Sequence, residues 1–110
     1  MKRAHDYLPA TREALSAMGH QIAAARTRLG WTEAELATRV GVGPQTIRRL
    51  EDGAPGTQIG TVFEAAVLLG IPLFNVPASQ LSRVAASVRD QLALLPARVD
   101  ASRPEFDDDF

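Results

Sequence analysis

Four polar side chains that can hydrogen-bond to DNA lie close together between positions 45 and 49. They are Gln45, Thr46, Arg48 and Arg49. A glutamine amide can form two hydrogen bonds with adenine, and an arginine guanidinium can form two with guanine. Hydroxyl groups and arginines also bind phosphate oxygens. By composition alone these residues also fit an ordinary solvated helix, so the surrounding sequence has to decide between the two interpretations.

Two short helices separated by a tight turn are predicted to hold these side chains. Thr32 and Glu35 have the spacing of a capping box at the start of the first helix. Gly41 suits the left-handed conformation at its end. Pro44 suits the first position of the second helix, with Gly43 as its N-cap. Because so short a turn cannot form a long antiparallel hairpin, the two helices are expected to cross steeply.

The packing of this helix pair can be predicted from three small or apolar residues. Ala37 is small enough to let the second helix approach closely, and Val42 is an apolar residue within the turn. We therefore expect Val42 to fill the gap between the helices and Ile47 to face inward. These three residues would then turn the polar side chains of the second helix outward.

The rest of the chain predicts an all-α fold with five helices. Apolar residues recur at steps of three and four in a first helix over 11–29, a fourth over about 57–69 and a fifth over about 79–95. This periodicity places Leu29 and Ile59 among the buried residues. The expected organisation is a flexible arm over 1–10, a domain around the helix pair over 11–75, an additional helix within 76–97 and an acidic, disordered tail over 98–110.

The fifth predicted helix has one apolar stripe, which admits two uses. Its members are Leu81, Val84, Val88, Leu92 and Leu95. The stripe either packs on the core of the monomer or forms the seam of a homodimer. A two-fold dimer would place two copies of the DNA-facing helix about one DNA turn apart, on a palindromic site.

Composition excludes several classes of protein. The 110 residues contain no cysteine and two histidines, His5 and His20, which are not spaced as metal ligands. We therefore expect one domain without a metal or a cofactor. The sequence also has no cluster of catalytic groups, so an enzyme is not expected.

No apolar run approaches the ~20 residues that span a bilayer, and no signal peptide is evident. We therefore expect a cytoplasmic protein without membrane contact.

Charge is unevenly distributed along the chain. Residues 1–103 carry twelve Lys and Arg against nine Asp and Glu, a charge of +3, although the whole chain has a charge of −1. The last residues are acidic and aromatic: Phe106, Asp107, Asp108, Asp109 and Phe110. This tail is either a solvated end or a partner-binding segment, whose aromatic rings anchor in a pocket while its acids attract a basic surface.

The segment 32–53 resembles the helix-turn-helix of the Cro/repressor (XRE) family of bacterial and phage regulators. The resemblance lies in Leu36-Ala37, Val40-Gly41-Val42, Thr46-Ile47 and Leu50-Glu51-Asp52-Gly53, and it extends back to Ile22 and Arg26 and forward to Leu69-Gly70-Ile71-Pro72. It implies a five-helix, lambda-repressor-like fold and binding to double-stranded DNA through the second helix of the pair.

The resemblance also implies a role for each candidate residue. Pro44, Gln45 and Arg49 match base-facing positions, Thr46 matches a phosphate contact, and Arg48 matches a position that faces solvent or the DNA backbone. The remaining candidates for phosphate contact are Arg26, Arg39 and the predicted helix starts at Thr32 and Thr57. One position departs from the family: Glu33 stands where glutamine often contacts phosphate, and an acid there would repel it.

A narrower resemblance is to HipB-type antitoxins. It lies in residues 60–64 and 69–74 and in the acidic tail that ends in an aromatic residue. It implies an antitoxin that represses its own operon and neutralises a HipA-like kinase toxin. Two alternatives stay open: a protein-interaction adaptor that keeps the fold without binding DNA, and a regulator of a phage or restriction system.

Overall fold

Five α-helices form the part of the chain that the computed structural model describes, residues 6–99. They are α1 (Pro9–Arg28), α2 (Glu33–Val40), α3 (Pro44–Glu51), α4 (Ile59–Leu68) and α5 (Leu81–Ala93), with a 3₁₀ turn at Ala78–Gln80 before α5. Within residues 6–99, extended pairing is limited to one bridge between Leu73 and Val76. The all-α prediction is confirmed. None of the five helices is both long enough and apolar enough to cross a membrane.

Local interactions set the limits of α2 and the start of α3. The hydroxyl of Thr32 accepts from the amide of Glu35 at 3.0 Å, and the carboxylate of Glu35 accepts from the amide of Thr32 at 2.7 Å. Gly41 has a φ of 92°, and its amide donates to the carbonyl of Ala37. Since left-handed backbone favours glycine, Gly41 ends α2. The predicted capping box and the predicted start of α3 at Pro44 are both present.

The core lies between α1, α2, α3 and α4, with α2 and α3 at its centre. Helix α2 packs on α3 and on α4, and α1 packs on α3. The largest fully buried side chains are Ile22, Leu36 and Ile47, one from each of α1, α2 and α3. Ala37 is buried and Val42 is half-buried against this core, as their size and apolar character predicted.

The backbones of α1 and α3 make a close contact that depends on glycine. A Cβ atom on Gly19 would lie 2.5 Å from the carbonyl oxygen of Leu50 and 2.6 Å from that of Glu51. Those distances are well inside van der Waals contact, so a larger residue would push the helices apart. We call this contact the α1–α3 crossing. It sets the position of α3 against the rest of the domain.

Several predicted boundaries and burials are wrong near helix ends. Helix α1 begins at Pro9 rather than at 11, because proline suits a first helical position; the described part of the expected arm is therefore shorter. Leu29 and Ile59 were predicted to be buried but are 52% and 68% exposed. The reason is that Leu29 follows the last residue of α1 and Ile59 is the first residue of α4. Helix α5 begins at Leu81, two residues after its predicted start, because the 3₁₀ turn comes first.

The apolar stripe of α5 is largely uncovered in the monomer. Leu81 and Val84 are half-buried, and Leu81 packs against the core. Val88, Leu92 and Leu95 are 55%, 67% and 62% exposed. The main helical contact of α5 is with the 3₁₀ turn that precedes it. The monomer core therefore does not account for the outer three residues of the stripe.

Candidate nucleic-acid interface

The residues predicted to face DNA lie together along the solvent side of α3. Gln45, Arg48 and Arg49 are exposed, as is Pro44 at the start of the helix, and Thr46 is half-buried. The opposite side of α3 is buried through Ile47 and Leu50. A helix with one side in the core and its polar side in water is free to enter a DNA groove.

A mainly polar groove runs from α3 to the start of α4. We call it the α3–α4 groove; it is lined by Val42, Thr46, Arg49, Gly56, Thr57, Gln58 and Thr61. The Arg49 side chain lies along the groove, with Nη2 4.0 Å from where a Cβ atom of Gly56 would be. Sequence reasoning missed Gly56, Gln58 and Thr61, because only the turn between α3 and α4 brings them to the same groove as Arg49.

Thr57 belongs to this groove but does not begin a helix. The N-cap of α4 is Gln58, and the Thr57 hydroxyl donates to the carbonyl of Ala54 at 3.2 Å. The prediction that α4 begins at Thr57 is therefore wrong, because this side chain closes the preceding turn. At the start of α2, the amides of Thr32 and Glu35 are already bonded within the capping box. Those two amides are consequently not free to bind a phosphate.

Arg26 has a different place from the predicted one. Its Nε donates to one carboxylate oxygen of Glu51 at 2.7 Å and its Nη2 donates to the other at 3.0 Å, while Nη1 donates to the carbonyl of Trp31 at 2.8 Å. The side chains of Arg26 and Glu51 are 15% and 7% exposed, respectively. Arg26 therefore ties α1 to α3 instead of facing a phosphate.

The charge of Arg26 is stabilised by this arrangement. The hydrogen bond to Glu51 raises the pKa of Arg26; desolvation opposes that rise, and the negative charges of Glu51 and Glu33 reinforce it. A raised pKa favours the folded state until the pH rises past the ordinary arginine value. The contribution of Arg26 to stability is therefore constant across the neutral pH range.

Glu33 pairs with Arg48 on the exposed side of the helix pair. The Nε of Arg48 donates to Oε1 of Glu33 at 3.3 Å, and the two side chains are 58% and 31% exposed, respectively. The acid at the unusual position is thus directed towards the polar side of α3. The sequence could not show this, because the two residues are fifteen positions apart.

Arg39 is held against Trp31. Its guanidinium carbon lies 4.1 Å from the centre of the indole ring, which is a cation–π contact. Stacking uses the face of the guanidinium and leaves the N–H groups in its plane able to donate hydrogen bonds. Arg39 therefore stays a candidate for phosphate contact, whereas Trp31 is a supporting residue that sequence reasoning missed.

One known protein family matches the part of the chain that contains these candidate residues. A helix-turn-helix family model matches residues 22–76, which is half of the chain and includes α2, α3 and α4. The chain belongs to the helix-turn-helix family. Its helix-turn-helix domain is of the type found in DNA-binding transcription regulators. No curated protein and no solved structure gave a significant match.

The structure of the helix-turn-helix protein does not test the predicted partner-binding residues. Phe106, Asp107, Asp108, Asp109 and Phe110 lie outside the described residues, as does His5. His20 is exposed on α1.

Proposed function

We propose that the chain represses transcription by binding a palindromic operator as a homodimer, with α3 in the major groove. The observation that supports this most directly is the exposure of Gln45, Arg48 and Arg49 on one side of a helix whose other side is buried. In this docking mode, residues near the start of the second helix meet base edges first. Gln45, the second residue of α3, is therefore assigned to adenine. Arg49 lies four positions later, and it is assigned to guanine because it matches a base-facing position of the Cro/repressor family.

The α3–α4 groove is proposed to receive the DNA backbone beside the bases. Hydroxyl and amide side chains supply many of the phosphate contacts in protein–DNA complexes, and these contacts fix the register of the protein on the duplex. Thr46 and Thr61 supply hydroxyls, and Gln58 supplies an amide. The hydroxyl of Thr57 already donates to the carbonyl of Ala54, so Thr57 is not assigned a phosphate. Arg39, supported by Trp31, is proposed as a further phosphate contact.

Replacing Arg49 with alanine is expected to cost about 1–3 kcal/mol of DNA-binding free energy and to relax the preference for one base. The physical reason is the loss of a bidentate contact with a base edge. The measurement is selection of a binding site from a random duplex library, followed by titration of the selected site with the wild-type protein and the variant. The matched control is Arg12→Ala, which removes the same charge from an exposed position on α1.

The outcome for Arg49 distinguishes three possibilities. A uniform loss over all sequences, with a salt slope lower by about one, would make Arg49 a phosphate contact instead of a base contact. Unchanged affinity and an unchanged selected site would contradict its assignment altogether. Failure of the wild-type protein to bind any duplex at low salt would favour the adaptor alternative, since phosphate attraction is strongest there.

The homodimer is proposed to form through the exposed stripe of α5. Contiguous apolar patches on a soluble monomer mark interaction sites more often than the scattered apolar residues of ordinary surfaces. A two-fold dimer needs a surface that complements itself, and a single helix stripe meets that need when two copies lie side by side. A second copy is also the partner that two half-sites of a palindrome require.

Leu92→Asp is expected to raise the dimer dissociation constant by at least roughly a hundredfold, because two-fold symmetry removes the leucine from both copies and each buried leucine contributes about 1.5 kcal/mol or more. Sedimentation at micromolar concentration would then show a monomer. The matched control is Ala93→Asp, the next residue, which is also exposed but points away from the stripe. A wild-type monomer, or equal effects of both variants, would rule out the α5 seam.

The antitoxin role is proposed as a finer hypothesis within this function. It is supported by the resemblance in residues 60–64 and 69–74 and by the acidic, aromatic end of the chain. A gene for a kinase-like toxin next to this one in the genome would favour it. A phage or restriction neighbourhood would favour the other regulators.

A further inference from the structure

We propose that Glu33 limits the affinity of the chain for DNA by holding Arg48 in an ion pair on the DNA-facing side. This inference rests on the proposed function, since it concerns the same surface. Arg48 is an exposed arginine in the last turn of α3, and Glu33 is the first residue of α2. The pair therefore joins the two helices of the motif on their polar side, at 3.3 Å between Nε and Oε1.

The surroundings of Glu33 leave Arg48 as its main counter-ion. The negative charge of Glu33 also acts on Arg26, but Arg26 already binds both carboxylate oxygens of Glu51 at 2.7 and 3.0 Å. The Arg26–Glu51 pair is neutral, and so is the Arg48–Glu33 pair. Of the two arginines on the solvent side of α3, only Arg49 then adds net positive charge to the described part of this surface.

A phosphate group has to compete with this ion pair. The Glu33 carboxylate occupies Nε of Arg48 and repels an approaching phosphate, so Arg48 contributes little to backbone binding. The sequence-independent part of DNA affinity depends on how many phosphates the protein neutralises. Removing the charge of Glu33 while keeping its shape releases Arg48 as one additional phosphate contact. Glu33→Gln makes that change, and its amide oxygen can still accept from Arg48.

The test measures binding to a labelled 20-base-pair duplex of mixed sequence, because phosphate contacts do not depend on sequence. Glu33→Gln is expected to bind roughly threefold to tenfold more tightly than wild type at 50 mM salt, with a steeper salt dependence by about 0.9. The advantage should fall about threefold at 200 mM salt, as one extra phosphate contact predicts. A purely structural role for Glu33 would not steepen the salt dependence.

Two further variants isolate the ion pair. Glu13→Gln makes the same change in net charge at an exposed position on α1 and is expected to leave affinity nearly unchanged. In an Arg48→Gln background, Glu33→Gln is expected to gain less, since no guanidinium is left to release. An equal gain in both backgrounds, or an equal gain from Glu13→Gln, would overturn the role of the pair.

The possible failures are distinguishable. If wild type binds the duplex and Glu33→Gln binds no better, this inference is overturned and the proposed function stands. If neither protein binds at low salt, although both melt as cooperatively folded proteins, the proposed function is overturned and this inference with it.

Discussion

Replacing Glu51 with glutamine is expected to destabilise the domain by about 3–5 kcal/mol, because it leaves the buried charge of Arg26 without a counter-ion. Both partners are largely buried, and the carboxylate accepts two hydrogen bonds from the guanidinium at 2.7 and 3.0 Å. A glutamine side chain can accept only one of them, and its amide group would face an N–H of Arg26. Loss of this size is a large part of the roughly 5–15 kcal/mol that stabilises a typical domain.

Urea denaturation measures this effect as a fall in the midpoint at constant slope. The matched control is Asp52→Asn, the same chemical change on the next residue, which is exposed; it is expected to stay within about 0.5 kcal/mol of wild type. The double variant Arg26→Met with Glu51→Met should recover much of the loss, since an apolar pair leaves no buried charge. A Glu51→Gln variant as stable as Asp52→Asn would show that the pair contributes nothing.

Gly19→Ala is expected to destabilise the domain by roughly 2–3 kcal/mol, near the upper end of the cost of overpacking a core. The added Cβ atom would lie 2.5 and 2.6 Å from two backbone carbonyl oxygens at the α1–α3 crossing. Backbone atoms cannot turn aside as a flexible side chain can, so α1 has to move away from α3. The intrinsic preference of alanine for helix, about 1 kcal/mol over glycine, works in the opposite direction and is outweighed.

The control for the crossing is Gly60→Ala in α4, where no atom lies within 4 Å of the position that a Cβ atom would take. That variant should be as stable as wild type or more so. The effects of Gly19→Ala and Glu51→Gln should fall short of additive, because moving α1 also disturbs the Arg26–Glu51 pair. A stabilised Gly19→Ala variant would mean that the two helices are not in contact at Gly19.

These two changes act on the placement of α3 and not on its surface. Helix α3 is eight residues long, and isolated helices of that length are not stable in water. Its position depends on the buried Ile47, on the Arg26–Glu51 pair and on the close approach at Gly19. The surface proposed to meet DNA is therefore held in place from the opposite side of the helix.

Features that depend on a few neighbouring residues could be predicted from the sequence. The capping box of Thr32 and Glu35, the left-handed Gly41 and the proline at the start of α3 each involve atoms within one turn of helix. Their chemistry is local, so their outcome is the same in any compatible fold. The outward direction of Gln45 and Arg49 followed from the same local periodicity. By contrast, the starts of α1, α4 and α5 each differ by two residues from the predicted ones, because several starting positions satisfy the same local rules.

The partners of charged and apolar surfaces were decided by tertiary structure alone. The pairs Arg26–Glu51 and Glu33–Arg48 join residues 25 and 15 positions apart, and any of these side chains could have faced solvent or a phosphate by sequence. The stripe of α5 was predicted as apolar, but only its position in the fold left Leu92 exposed. A local pattern specifies which groups need a partner, and the crossing of the helices specifies which partner comes within reach.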